Sequence, residues 1–400
     1  MNGKPVPSVR PSASAPPQPA SRLDRLPAYP LADVPALRAR LEAEGKEVID
    51  LGAGDSGLPV PEQAVAALSE AVRRPELQRY AFQRGLPELR EAIAEWMEKR
   101  YGRRLDPYRE ILPLIGSKEG VGHAALAILD PGDGALVPDP GYAAYFGGAL
   151  FAGAHVQRVL LRDEEDFLVP PDAIRAYRGR LRLVYLNYPN NPTGATADAD
   201  YLQRILEATR ERGALLVYDN AYAEIAFDGY RPPSLLELDG GLEFGLEFHS
   251  FSKTFNMTGW RLGWVCGSAE MVGALSRAKS FFDTGIYLGI QAAGAAVLRD
   301  PEPFLSSNVA RLRERRDAAV VAFRKAGFPV RAPRATLYLW LPVPTAESSE
   351  AFARRVLLEE GVVLLPGSAL GAGGEGFLRV AFTLPPDRYA EAASRVGRQL

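Results

Sequence analysis

Short apolar runs, bounded by turns and separated by amphipathic stretches, constrain this chain more than any other feature. ILPLI (111–115), ALVP (135–138), RLVYLN (182–187), ALLVYD (214–219), GLEFH (245–249) and RLGWVC (261–266) have the length of strands. Several are apolar without alternation, the pattern of strands covered on both faces. Helix-forming stretches intervene, notably 61–74, 86–101, 117–129 and 198–212. Such alternation predicts an α/β fold: a mainly parallel sheet with helices on both faces.

The texture changes after about residue 290. A long helix-forming tract (303–326) leads to strands at 336–342 (TLYLWLP) and 377–382 (FLRVAF), with helices at 349–360 and 386–398. This predicts a smaller α+β domain. Near the start, ADVPALRARLEAEGK reads as a short amphipathic helix and EVIDLGAG as a strand, while residues 1–24 are rich in Pro, Ser and Ala and suit a loose arm.

Composition narrows the function. Lys+Arg 47 against Asp+Glu 49 leaves a net charge of −2, which argues against partners held by bulk electrostatics, such as nucleic acid or a membrane surface. The single cysteine, Cys266, permits no internal disulfide and fits a reducing compartment. Three widely spaced histidines make a zinc site or a Ser–His–Asp mechanism hard to build, and no metal is expected. No apolar run reaches the roughly 18 residues of a membrane span, and the start lacks the apolar core of a secretory signal. The expected location is the cytoplasm.

Open parallel sheets hold ligands beyond the carboxyl ends of their strands. Asn187 ends one expected strand, with Asn191 just after it in LNYPNNPTG; Asp219 ends another; Ser250, Ser252 and Lys253 follow a third. Gly116, Ser117 and Lys118 leave a fourth strand and open a helix, whose free N–H groups and dipole suit a phosphate. Each feature alone has a plainer reading as a cap or turn. Together, a lysine, an acid and a phosphate cradle suit pyridoxal phosphate. The lysine forms a Schiff base with its aldehyde, and the acid keeps its pyridine nitrogen protonated, so that the ring accepts electrons.

With these residues in place, the chain resembles the class I/II aminotransferases of fold type I, from about Tyr29 to the C-terminus. G-x-G-D, Y-x-x-x-x-G-x-x-x-L-R, G-S-K-E-G, P-N-N-P-T-G, Y-D-x-x-Y and S-x-S-K-x-x-x-M-x-G-x-R occur in family order. The phrasing GSKEG, LNYPNNPTGA, DNAYAEIAFDGY and HSFSKTFNMTGWRLGW is similar to the LL-diaminopimelate aminotransferase branch. The resemblance implies that Lys253 is the Schiff-base lysine, which also moves a proton between the substrate α-carbon and the cofactor. It implies that Asp219 pairs with the pyridine nitrogen, Asn191 and Tyr222 hold the ring's 3-oxygen, and Tyr142 stacks on the ring.

The resemblance further implies that Ser117, Lys118, Ser250 and Arg261 bind the phosphate, joined by Tyr80 from a partner subunit of a homodimer. Ser252 either helps or simply holds the turn. Arg379 would clamp the substrate α-carboxylate, Gly54 would let backbone approach it, and Asn191, Lys118 and Tyr29 complete the substrate side. Asn191–Pro192 is expected to be cis, and Asp139–Pro140 matches a second such place. By the same reasoning, residues 1–26 form the arm, 27–53 the N-terminal part of the small domain, 54–291 the large cofactor-binding domain and 292–400 the small C-terminal domain.

The resemblance is not complete. Related sequences usually read GDPD where this chain reads GDSG (54–57), and Arg84 stands where an acidic or neutral residue is expected. Arg84 either favours a distal carboxylate across an interface or faces solvent. Phe281, Phe282 and Tyr287 add aromatic surface that leaves a bulky substrate open. The expected activity exchanges an amino group between an L-amino acid and a 2-oxo acid, 2-oxoglutarate/glutamate being the default second pair. Diaminopimelate-type substrates come first, then aspartate, alanine or aromatic ones. The same lysine also serves PLP β- or γ-lyases and aminocyclopropane-carboxylate synthase-like enzymes. A transcription regulator of this family would need a DNA-binding domain, for which residues 1–26 are too short.

Overall fold

The computed structural model describes residues 18–26, 34–83 and 85–400. Tyr29 and Arg84 lie outside them, as do residues 1–17 of the expected arm. Its remaining described part holds one exposed 3-10 turn, Ser21–Arg25.

The strands in chain order are β1 (Ile49–Asp50), β2 (Ile111–Leu114), β3 (Gly134–Asp139), β4 (His155–Leu160), β5 (Leu181–Leu186) and β6 (Leu215–Asp219). They continue as β7 (Gly245–Ser250), β8 (Gly263–Gly267), β9 (Tyr338–Pro342), β10 (Val362–Val363), β11 (Leu365–Pro366) and β12 (Phe377–Ala381). Strands β2 to β8 form a seven-stranded sheet in the order β2-β8-β7-β6-β5-β3-β4. All neighbours pair in parallel except β8, which is antiparallel to both β7 and β2.

Burial on both faces explains why alternation is missing from these runs. On β5 and β6, Leu183, Tyr185, Leu215 and Val217 pack into the core on one face. Val184, Leu186, Leu216 and Tyr218 pack into the core on the other. Side chains still point to opposite faces in turn, but each face meets helices rather than water. Strand β4 escaped the sequence reading for the converse reason. It is an edge strand whose residues His155, Gln157, Arg158 and Leu160 are exposed, so it never forms an apolar run.

The two smaller sheets are built from C-terminal strands, joined by β1 from the N-terminal part of the chain. Strands β11, β12 and β9 pair antiparallel in that order, and β1 pairs in parallel with β10 through Ile49↔Val362 and Asp50↔Val363. The N-terminal helix Val34–Ala43 places Leu41 beside Leu357 and Val363. Thus residues 41–50 pack among residues the chain reaches again roughly 300 positions later. Strand β9 begins at Tyr338 rather than at residue 336, because Thr336 takes a positive φ of 75°. Strand β8 likewise begins at Gly263, since Arg261 has φ 56°.

Candidate active site

The carboxyl ends of β5, β6 and β7 and the start of the helix Ser117–Ile128 converge on a cavity of about 350 Å³. Its lining includes Gly54, Ser117, Lys118, Tyr142, Asn191, Asp219, Tyr222, Ser250, Lys253, Arg261 and Arg379. These are all of the expected site residues except two. Tyr80 sits on the surface, 72% exposed, away from this cavity, and Tyr29 is outside the described residues.

The stretch LNYPNNPTG is folded by its own asparagines. Asn187 Oδ1 accepts from the Asn191 N–H at 2.8 Å, while Asn187 Nδ2 donates to the Asp219 carbonyl at 2.7 Å. Asn190 Oδ1 accepts from both the N–H and the hydroxyl of Thr193. Asparagine serves because one side chain offers donor and acceptor together. Asn191–Pro192 and Asp139–Pro140 are cis as expected, and Tyr188–Pro189 is a further cis bond that the sequence reading did not anticipate.

Asp219 is 6% exposed. Its Oδ2 accepts from the Tyr145 hydroxyl at 2.9 Å, and its Oδ1 is buried without a hydrogen-bond partner. Burial pushes its carboxyl up to about 6, against the Tyr145 hydrogen bond that favours the ionised form. Lys253 is half-buried, and its ammonium donates to the Gly54 carbonyl.

The helix Ser117–Ile128 starts without a side-chain cap, after Gly116 at φ 73° and ψ 155°. Its first N–H groups therefore stay available to a ligand at the cavity. A Cβ on Gly116 would stand 2.3 Å from Arg261 Nη2, so glycine lets the guanidinium lie against the helix start. Arg261 Nη1 donates to the Thr258 carbonyl at 2.9 Å, and the Ser250 hydroxyl accepts from the Ser252 N–H at 3.2 Å. The Lys118 ammonium lies 5.7 Å from the centre of the Tyr142 ring.

On the opposite wall, Arg379 Nη1 donates to Asn191 Oδ1 at 2.9 Å and Nη2 to the Gly52 carbonyl at 2.7 Å, leaving Nε buried and unpartnered. Its guanidinium stacks 4.3 Å over the Tyr338 ring. The Tyr338 and Tyr222 hydroxyls share a hydrogen bond of 2.9 Å. Burial works to raise the Tyr338 hydroxyl, yet the charges of Arg379 and Lys253 and the Tyr222 bond hold it below the usual tyrosine value. Burial, then the Tyr338 neighbour, pushes the Tyr222 hydroxyl well up.

Tyr338 and Tyr145 are the aromatic site residues that sequence reasoning missed; Asp55, Ala221 and Thr258 also line the cavity without having been singled out. Both tyrosines sit within apolar stretches and look like core. For Tyr145 a signal existed: it follows Tyr142 by three positions at the start of the helix Ala143–Phe151, a spacing that can share one helix face. For Tyr338 there was none, because its partner Tyr222 lies more than 100 residues away.

Over residues 46–396 the chain matches the family Aminotransferase class I and II. This chain belongs to that family. An LL-diaminopimelate aminotransferase of Desulforudis audaxviator (strain MP104C) is 44% identical to this aminotransferase over 378 residues, covering 94% of this chain and 96% of the relative. One of Moorella thermoacetica is 42% identical over 388 residues, covering 96% and 98%. The solved structure of a probable N-succinyldiaminopimelate aminotransferase from Thermus thermophilus has a TM-score of 0.86 at 37% identity, covering 92% of this chain and 99% of that one.

The aminotransferase is a fold type I pyridoxal-phosphate enzyme. Its residues fit that cofactor. The orphaned Asp219 Oδ1 asks for a cationic donor such as a pyridinium, and the uncapped helix start with Arg261 asks for a dianion.

Proposed function

We propose that this aminotransferase moves an amino group from LL-diaminopimelate to a 2-oxo acid, with 2-oxoglutarate the default acceptor. The observation that carries this reading is the 44% identity to an enzyme of that name over nearly the whole of both chains. Pyridoxal phosphate, when bound, supplies the electron sink that stabilises a carbanion at the substrate α-carbon.

The remaining work falls to side chains of this chain. Lys253 would anchor the cofactor and move the proton at the substrate α-carbon. Asp219 would hold the pyridine nitrogen protonated, Asn191 and Tyr222 would hold the 3-oxygen, and Tyr142 would cover the ring. Ser117, Lys118, Ser250 and Arg261 hold the phosphate, with Tyr80 of a second copy of this chain. Arg379 takes the α-carboxylate as a planar two-pronged donor, which lysine cannot mimic. Gly54 leaves room beside it, since a Cβ there would meet the Tyr338 hydroxyl at 2.4 Å. Lys118 also faces the substrate side.

We place the enzyme in the cytoplasm as a homodimer with shared sites. No helix among the described residues is long and apolar enough to cross a membrane. The exposed aromatic side chains of Tyr80, Phe82, Phe281 and Phe282 support association.

The deciding experiment titrates the cofactor-loaded enzyme with single amino acids in the absence of any oxo acid and follows the visible absorbance of the bound cofactor. The panel is LL-diaminopimelate, its N-succinyl derivative, glutamate, aspartate, alanine and phenylalanine. Conversion by LL-diaminopimelate at the lowest concentration of the panel, glutamate aside, is the expected result. Conversion only by other members refutes the substrate assignment but keeps the reaction. Release of ammonia with an oxo acid, without conversion, replaces transamination by a lyase reaction.

A further inference from the structure

The loop in which this chain reads GDSG connects two of the cations of the site, Lys253 and Arg379. Residues 52–56 pass the cavity, which Gly54 and Asp55 line, and every second carbonyl of the segment accepts from a cationic side chain. Gly52 takes Arg379 at 2.7 Å, Gly54 takes Lys253, and Ser56 takes Arg315 Nη1 at 2.5 Å. The segment is tethered at its start, where Asp50 Oδ1 accepts from the N–H groups of Gly52 and Ala53.

Its far end is tethered through Ser56, a buried residue. The Ser56 hydroxyl donates to Asn256 Oδ1 at 2.7 Å, three positions beyond Lys253. Asn256 Nδ2 in turn donates to Asn308 Oδ1 at 2.9 Å, on the helix Glu302–Lys325. Arg315, on the same helix, also donates from Nη1 to the Thr383 carbonyl, just past the strand β12 that carries Arg379. Ser56 is therefore the point where three pieces meet: the segment, the turn bearing Lys253, and the end of the Arg379 strand. None of Ser56, Asn256, Asn308 and Arg315 lines the cavity.

We infer that Ser56 and Asn256 are positioning residues of the reaction, with Arg315 behind them, and that they set where Lys253 stands relative to the carboxylate held by Arg379. This rests on the roles given above to Lys253 and Arg379. Proton transfer at the α-carbon needs the amine and the anchored carboxylate in one fixed relation, and misplacement of about 1 Å is costly. A buried hydroxyl-to-amide bond restrains that relation, and its loss leaves the Asn256 carbonyl unpaired.

The test compares Ser56→Ala, Asn256→Gly and the double variant with the wild type, all cofactor-loaded and normalised to loaded sites. Glycine at 256 suits the positive φ of 55° and so removes only the side chain. The probe is 2-methylglutamate, which carries the α-amine and α-carboxylate but no α-hydrogen, so that binding is read from the spectrum without turnover. Single turnovers with glutamate and α-deuterated glutamate supply the second readout.

The expected result is binding weakened about fivefold in Ser56→Ala, with a larger deuterium isotope effect, and a double variant no weaker than the worse single one. Unchanged affinity and isotope effect in Ser56→Ala, or single effects that simply multiply, overturn the inference. Arg379→Ala is the control. If it leaves 2-methylglutamate binding intact, the carboxylate role of Arg379 fails, and with it the frame on which the inference stands.

Discussion

Lys253 needs a site that holds its ammonium without a carboxylate, and the Gly54 carbonyl supplies one. Lys253→Ala should abolish the visible band of the bound cofactor and lower turnover by at least about a hundredfold, and substantial remaining transamination refutes the assignment. Asp219 makes a sharper statement about pH. In the cofactor-free protein its carboxyl holds a proton up to about 6, against 3.8 for an ordinary aspartate. Between those values the folded state binds more protons than the unfolded, so this group's stabilising contribution is lost as pH rises. The melting temperature of Asp219→Asn should gain on the wild type from about pH 4 to about pH 6 and then level off. The corresponding stability difference is on the order of 3 kcal/mol, and a melting-temperature difference that does not change with pH defeats it. Tyr338→Phe keeps a ring beneath Arg379 but removes the partner of the Tyr222 hydroxyl. It should lower kcat/KM about fivefold with cofactor occupancy intact, and an unchanged value removes Tyr338 from the site's working parts.

At the scale of elements, a strand end or helix start matters for what it leaves unpaired. The helix Ser117–Ile128 offers its first N–H groups because Gly116 adopts a backbone conformation nearly reserved for glycine. Gly116→Ala forces strain there and pushes Arg261 Nη2 aside. Its cofactor dissociation constant should rise about tenfold or more, and equal affinity shows that the cradle does not depend on this close approach. Elements were legible in the sequence in proportion to their burial. The apolar runs of β2, β3, β5, β6 and β7 announced themselves, as did β1 within EVIDLGAG, whereas β4, exposed at the edge, and the two-residue strands β10 and β11 carry too little pattern to separate from loops.

At the scale of the molecule, Tyr80 has no work within one chain. It is exposed beside Phe82, with ring centres 5.9 Å apart, and Phe281 is 85% exposed. Sedimentation should give a dimer, and Tyr80→Phe should weaken cofactor retention without changing the dimer; unchanged affinity sinks the cross-subunit role. What the sequence determined by itself was local or motif-borne: the alternation of strands and helices, the rim residues at strand ends, the lysine, the acid and the helix start. These follow from periodicity and from residue chemistry over a few positions. Tertiary structure alone decided the antiparallel setting of β8, the place of Tyr338, and the joining of Arg379, Lys253 and Arg315 by alternate carbonyls of one segment. The physical reason is sequence distance. A hydrogen bond between groups roughly 100 to 300 residues apart leaves no periodic trace in either stretch, because only the folded core brings its two ends together.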